Sequence, residues 1–352
     1  MSSNKLTIPK PDDWHVHLRE EAMLQAVLPY TTRQFARAVV MPNLKKPIMT
    51  AMEAREYRKA IRVALPPEVD FTPLMTAYLT DTTDPEDLVS GHKDGTLFAA
   101  KYYPANTTTH SQKGVTDIQA VANVLERMQK IGMPLLLHGE VNDISVDIFD
   151  TEEVFVDRIL VPLRRHFPGL KIVLEHITTK YQVDYVLAEG QDGMVGATIT
   201  AHHLLLNRNA LFSANGLRPL NYCRPILKRE GDRKAIIEAA TSGGRMFFLG
   251  TDSAPHSKAA KESANPPGGI FTAMNAIELY AQVFDEAGAL DRLAAFASLN
   301  GPAFHGLPIN KTRLELEKLS QPAPALKPIL TSEGAVIVPF QNETPLLWRA
   351  AA

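Results

Sequence analysis

Eight short apolar runs recur along the chain, separated by longer stretches whose apolar residues follow a helical period. The runs lie at 13–18 (DWHVHL), 37–42 (RAVVMP), 71–79 (FTPLMTAYL), 97–103 (LFAAKYY), 134–138 (PLLLH), 171–176 (KIVLEH), 194–200 (MVGATIT) and 246–252 (MFFLGTD). Several are almost continuously apolar, as strands buried on both faces of a parallel sheet must be. The stretch 117–131 reads as a helix, with Asp117 as N-cap and Gly132 just past its end. So does 151–166, where Thr151 opens a capping-box-like start and Pro162 predicts a kink or break. Eight strand–helix units predict an α/β protein of the (β/α)8 TIM-barrel type. Residues 271–299 read as further helix. The tail 321–352 is Pro-rich at QPAPALKP and then carries a strand-like run, GAVIVPF. It reads as an appendage packed on a barrel of residues 1–320, not as a second domain.

Composition narrows the class. A chain of 352 residues with 45% apolar content has enough material for one large barrel core. A net charge of −2 gives no electrostatic footprint for nucleic acid or an anionic membrane. No run reaches the roughly 20 apolar residues that span a bilayer, and MSSNKLTIPKPDDW lacks the apolar stretch of a secretory signal. The single cysteine, Cys223, excludes an intrachain disulfide and reads as a small buried residue. The expectation is a cytoplasmic enzyme acting on a small molecule, with no nucleic-acid or membrane partner.

The chemistry sits at the downstream ends of the runs. His15 and His17 alternate on one strand, so their side chains share a face and can grip one ion. His138 and His176 each end a strongly apolar strand. Either alone reads more readily as a core histidine than as a ligand, but both occupy the barrel end where active sites gather. Asp252 follows Gly250-Thr251 and can ligate a metal, shuttle a proton or cap the next helix; Pro255 argues against a helix starting at once. Lys101, after LFAA, is either a solvated strand end or a buried amine. A buried amine has a lowered pKa and can add carbon dioxide to give a carbamate, an anion able to bridge two metal ions.

At these residues the chain resembles the dihydroorotases of the amidohydrolase superfamily, in their shorter bacterial and yeast form. The similarity runs in order through DDWHVHLR, MPN, AAKYYPANTTT, LLLHGE, EHITTK, NGLRPLNYCRPILKR, FLGTDSAPH and NGPAFHGLP, most of residues 11–310. The resemblance implies two zinc ions per subunit. One is bound by His15, His17 and Asp252, the other by His138 and His176, and carboxylated Lys101 bridges them. It implies reversible closure of N-carbamoyl-L-aspartate to L-dihydroorotate in pyrimidine (UMP) synthesis. In the hydrolytic direction a bridging hydroxide attacks the ring amide, and Asp252 acts as general acid/base. It also implies that Arg19, Asn43 and His256 bind the substrate carboxylate, with His17 and His138 close to substrate. Thr108 and Thr109 belong to a closing loop. Arg224 and Gly268 fall where the family contacts the ring through backbone groups, and the family suggests a homodimer.

Several stretches depart from that pattern: Glu20-Glu21 replace a more usual acidic residue and small residue, and the tail after about 320 resembles the family only loosely. Pro266-Pro267-Gly268-Gly269 replaces a segment often rich in cysteine, and Arg224 stands where an apolar residue is common. Hydantoinase- or allantoinase-like enzymes share the ligand set, so metals alone do not separate them; Arg19, Asn43 and His256 favour a substrate with a carboxylate. A phosphotriesterase-like reaction needs no such pocket. A non-catalytic barrel is disfavoured because all six ligand positions are filled.

Overall fold

The eight apolar runs pair as one parallel sheet in the computed structural model, which describes residues 4–341 and 344–351. Its strands are Asp12–Val16, Arg37–Val40, Thr72–Tyr78, Ala99–Tyr102, Leu135–Leu137, Ile172–Leu174, Val195–Ile199 and Phe247–Leu249, each beside its neighbour in chain order. Just past the strand ends the eighth meets the first. Val16 bridges Ser253 in parallel, the Asp252 N–H donates to the His15 carbonyl (2.8 Å), and the His17 N–H donates to the Ser253 carbonyl (3.1 Å). Helices flank the sheet, giving the expected barrel. The strands are shorter than most of the apolar runs, because the final residues of several runs leave the ladder and turn into the barrel mouth.

Alternation decides what faces inward. Trp14, Val39, Ala99, Leu136, Val173 and Phe248, one from each of six strands, pack as an apolar plug. Their neighbours in sequence face the helices in the main core. Gly196 leaves room for the plug, since a Cβ there would lie 2.9 Å from the Phe248 ring. Two residues above Ala99, Leu136, Val173 and Phe248 stand Lys101, His138, Glu175 and Gly250, at the mouth. The first strand breaks the rule. Asp13 pairs with Ala38 and Val16 with Val40, so the strand carries one extra residue, a β-bulge. The bulge lets Trp14 join the plug while the very next residue, His15, also points inward.

Helix ends follow local chemistry. Asp117 accepts from the Gln119 N–H to open a 3-10 turn, which runs into the helix Ala122–Ile131; Gly132 closes it at φ 72°. The 151–166 segment is helical, but Thr151 does not cap it. Asp150 holds the N-cap position without a side-chain bond, and the Thr151 hydroxyl turns inward to Glu140 (3.3 Å). Pro162 follows a π-helical turn, Val156–Leu160, which absorbs the missing N–H. The expectation of helix over 271–299 is corrected. The first helix starts only at Ala276, because Ser253 Oγ accepts from the N–H groups of Thr272 and Ala273, and it ends at Glu286 just before Gly288 (φ 67°); helix resumes with the 3-10 turn Leu290–Arg292. A π turn at Ala295–Leu299 then leads into the helix Asn300–His305.

Below the barrel, Lys5–Pro9, Arg313–Lys318 and Trp348–Ala350 form an antiparallel sheet. Trp348 is buried there and donates to Asp285 (3.2 Å). Within GAVIVPF only Val336–Ile337 is strand, paired with Ile329–Leu330; Ile337 packs on Val27, Phe271 and Ala273. No helix among the described residues is long and apolar enough to cross a membrane.

Candidate metal centre

The sequence-predicted ligands converge at the mouth. The Nε2 atoms of His15 and His17 lie 3.4 Å apart, and Asp252 Oδ1 is 3.3 Å from the first and 3.1 Å from the second. Three ligand atoms at these separations suit one ion. Across the mouth, His138 Nδ1 faces His176 Nε2 at 3.3 Å, a second pair of nitrogens turned toward each other. Gly250 makes the approach possible: a Cβ there would stand 2.7 Å from the Thr198 Cβ and 3.2 Å from the His15 Cβ. His176 and Asp252 both hold left-handed backbone, at φ 42° and 43°. Such conformations cost roughly 1 kcal/mol or more in ordinary residues and persist where surrounding structure imposes them. Here the His176 N–H is held by Thr198 Oγ1 (2.7 Å) and the Asp252 N–H by the His15 carbonyl.

Electrostatics agrees with a site built for cations. Burial depresses His15, His17 (to about 3) and His176, so these rings are neutral and present lone pairs. Burial alone would raise the Asp252 carboxyl, but His15 and His17 beside it hold it well below the usual range. Lys101 is fully buried, and burial pulls its amine well below the ordinary lysine value. It is therefore not the solvated strand end that its position alone allowed. Its Nζ contacts Glu175, whose other carboxylate oxygen lies 2.9 Å from His15 Nδ1.

The remaining predicted residues form the walls. His15, His17, Arg19, Asn43, Thr108, Thr109, His138, His176, Arg224, Asp252 and Gly268 line one cavity. Lys101 lies behind the lining, its Nζ 4.9 Å from the centre of the Tyr103 ring, and His256 lines the adjoining cavity beside Arg19. The Arg19 Nη2 is 3.0 Å from His256 Nε2 and its Nε donates to the Pro255 carbonyl, with no ion-pair partner among the described residues. The guanidinium gives this wall of the cavity its positive charge, and His256 Nε2 also lies 3.2 Å from the Gly268 carbonyl. The Asn43 amide donates to the Thr109 carbonyl (3.0 Å) and the Thr109 hydroxyl to the Gly268 carbonyl (3.4 Å), so the loop crosses the cavity. The Arg224 side chain does point inward, but it ends on Glu140 (3.2 Å). Asp252 caps no helix; Ser257 takes that role for the short helix Lys258–Lys261. Cys223 is fully buried and its thiol is pushed up to about 12 by burial, as a core residue's would be.

Three buried carboxylates of this region escaped the sequence reading. Glu140 is two residues past His138, on the same face, and alternation alone would have found it. Glu175 directly precedes His176, and strict alternation forbids both from facing inward; the left-handed backbone at His176 permits it. Asp13 accepts from Thr251 and from the His15 N–H, pinning the bulge (2.6 and 3.1 Å). Nothing in its position along the strand marks that role.

Comparison with known proteins agrees with this geometry. Residues 8–319 match the model of the amidohydrolase family. A dihydroorotase of Cupriavidus pinatubonensis is 55% identical over 348 residues, 99% of each chain. Two solved structures superpose over nearly the full chain. One is a dihydroorotase from Saccharomyces cerevisiae in complex with 5-fluoroorotic acid, with TM-score 0.90, 32% identity, and 99% of this chain and 98% of that chain covered. The other is a dihydroorotase from Campylobacter jejuni, with TM-score 0.87, 32% identity, and 100% and 99% covered.

Proposed function

The chain belongs to the amidohydrolase family, among its dihydroorotases, and from that premise we propose the reaction, the metal set and the residue roles. The family is metal-dependent and its dihydroorotases hydrolyse a cyclic amide in pyrimidine synthesis. The proposed reaction is the reversible interconversion of L-dihydroorotate and N-carbamoyl-L-aspartate. One observation carries it: a cluster of cation ligands adjoins Arg19, a guanidinium with no carboxylate partner among the described residues and with His256 at its side, so an amide and a carboxylate of one small molecule can be held together.

Two zinc ions fit the residues present. His15, His17 and Asp252 would hold one and His138 and His176 the other. Lys101 would bridge them once its Nζ loses a proton and bonds to the carbon of carbon dioxide. When bound, such a pair supplies Lewis acidity toward the amide carbonyl and a nucleophilic water at neutral pH. The protein does the rest. Arg19, Asn43 and His256 fix the carboxylate and so the face of the ring presented to the ligand cluster. Asp252, ionised at neutral pH, accepts the proton of the attacking water and returns it to the departing ring nitrogen. Thr108 and Thr109 close the cavity against solvent. Backbone groups of Arg224 and Gly268 border the ring. A homodimer in the cytoplasm completes the proposal; sedimentation velocity tests the first part.

The deciding experiment is hydrolysis of L-dihydroorotate by zinc-loaded protein, followed by ultraviolet absorbance beside hydantoin and allantoin. Rapid loss of dihydroorotate alone is expected. Turnover of a neutral cyclic amide without turnover of dihydroorotate would overturn the carboxylate pocket and leave the metal chemistry standing.

A further inference from the structure

We infer that Glu140 is a positioning residue that selects the metal-binding tautomer of His138 and ties that ligand, through Arg224, to the substrate wall. The inference rests on the two-ion reading above. Glu140 is completely buried and touches no part of the cavity directly. Its Oε2 lies 2.6 Å from His138 Nε2, while the opposite ring nitrogen, Nδ1, faces His176 Nε2 at 3.3 Å. A carboxylate accepts only, so the Nε2 beside it must carry the proton. The lone pair is then forced onto Nδ1, the atom turned to the second ion position. A carboxylate behind a ligating imidazole also raises the ring's basicity and fixes its plane. The other oxygen, Oε1, accepts from Thr151 Oγ1 (3.3 Å) and meets Arg224 Nη2 (3.2 Å).

Arg224 thereby acquires a role that its backbone position did not suggest. Its side chain packs so closely on residue 268 that a Cβ on Gly268 would lie 2.8 Å from Arg224 Cγ. Glu140 therefore links a metal ligand on one wall to residues 224 and 268 on the other. Glutamine cannot replace it. With the amide oxygen toward His138, the NH2 meets the Arg224 guanidinium, donor against donor. Turned over, the NH2 donates to Nε2, moves the ring proton to Nδ1 and blocks the ligand atom.

The test is zinc titration of metal-stripped protein against a competing chelator, with cobalt absorption as a second readout, for parent, Glu140→Gln and Glu140→Asp. Parent protein should take two equivalents. Both variants should bind the first equivalent as the parent does and the second about 10- to 100-fold more weakly. Aspartate keeps the charge that Arg224 needs but draws its oxygens back from His138, so it remains informative if the glutamine variant does not fold. Two equivalents at unchanged affinity in a folded variant would overturn the inference. So would loss of both equivalents together with a lowered melting temperature of the metal-free protein, since that marks a purely structural role. Parent protein that takes fewer than two equivalents would sink the two-ion reading, and this inference with it, before any variant is compared.

Discussion

Gly301→Ala is the substitution whose cost the structure fixes best. Gly301 sits in the helix Asn300–His305, pressed against the barrel floor, and its backbone is not left-handed, so only contact opposes a side chain. An added Cβ would fall 1.9 Å from Trp14 Nε1 and 2.3 Å from Cε2. The indole must withdraw by about 1.5 Å to restore ordinary contact. It has nowhere to go, being stacked on His305 (4.4 Å between centroids) and set edge-on to Phe248 (6.1 Å). Overpacking of a filled core costs about 1–3 kcal/mol, and helix propensity returns less than about 1 kcal/mol at this early position. A contact of 1.9 Å puts the cost at the upper end of that range, so the net loss should be about 2–3 kcal/mol. At roughly 2 cal/mol/K of unfolding entropy per residue, that is a fall of about 3–4 °C in the Tm of a chain this long. Because Trp14 directly precedes His15, the displacement should also weaken metal binding. Differential scanning calorimetry of the metal-free protein measures the first effect and zinc titration the second. Trp14→Phe removes the offending atoms, so the double variant should be more stable than the two single losses predict, by at least about 1 kcal/mol. A Gly301→Ala protein that melts within 1 °C of the parent (about 0.7 kcal/mol here), or strict additivity in the cycle, would refute the reasoning.

Other expectations are shorter to state. Asp252→Asn should lower kcat by at least about 10²- to 10⁴-fold while leaving the circular dichroism spectrum unchanged; substantial residual turnover would remove Asp252 from the proton path. Lys101→Ala should lose the bridge and most activity, and two tightly held zinc ions in that variant would contradict the carbamate. Arg19→Met should lower kcat/KM for dihydroorotate by about 10- to 100-fold, the worth of one charge-assisted contact, and an unchanged KM and kcat would dismiss the carboxylate site. His202 is fully buried with neither ring nitrogen bonded, and burial lowers its pKa to about 4. The unfolded chain, with an ordinary histidine value near 6.5, therefore binds more protons between those two pH values, and stability falls as pH drops through that window. His202→Leu should match the parent near pH 7.5 and exceed it by about 2 kcal/mol at pH 5; parallel pH–stability curves from urea unfolding would disprove this.

How far the sequence could be read differs from element to element. The barrel strands were legible because each is a short apolar run bounded by turn residues, and burial on both faces writes itself directly into composition. The paired histidines of the first strand were legible because i and i+2 share a face whatever the fold. Segments 5–9 and 313–318 were not recognised as strands. Both alternate (KLTIP and RLELEK), but they are short and polar, and they pair with each other across about three hundred residues of chain, a pairing that no local period records. The helix read across 271–299 failed at its start for a similar reason: Ser253, remote in sequence, claims the backbone donors that the helix would have used.

Sequence alone determined the architecture and the identity of the six groups at the mouth, since both follow from periodicity and from the positions where strands end. Only the tertiary structure decided how those groups present their atoms. The bulge at Asp13–Val16 turns Trp14 and His15 to the same side, and the left-handed turn at His176 does so for Glu175 and His176. Burial lowers the pKa of the Lys101 amine, and Glu175 meets His15 only when separate strands close into a ring. These properties depend on dielectric surroundings and on contacts between distant segments, and a one-dimensional pattern encodes neither until the barrel has formed.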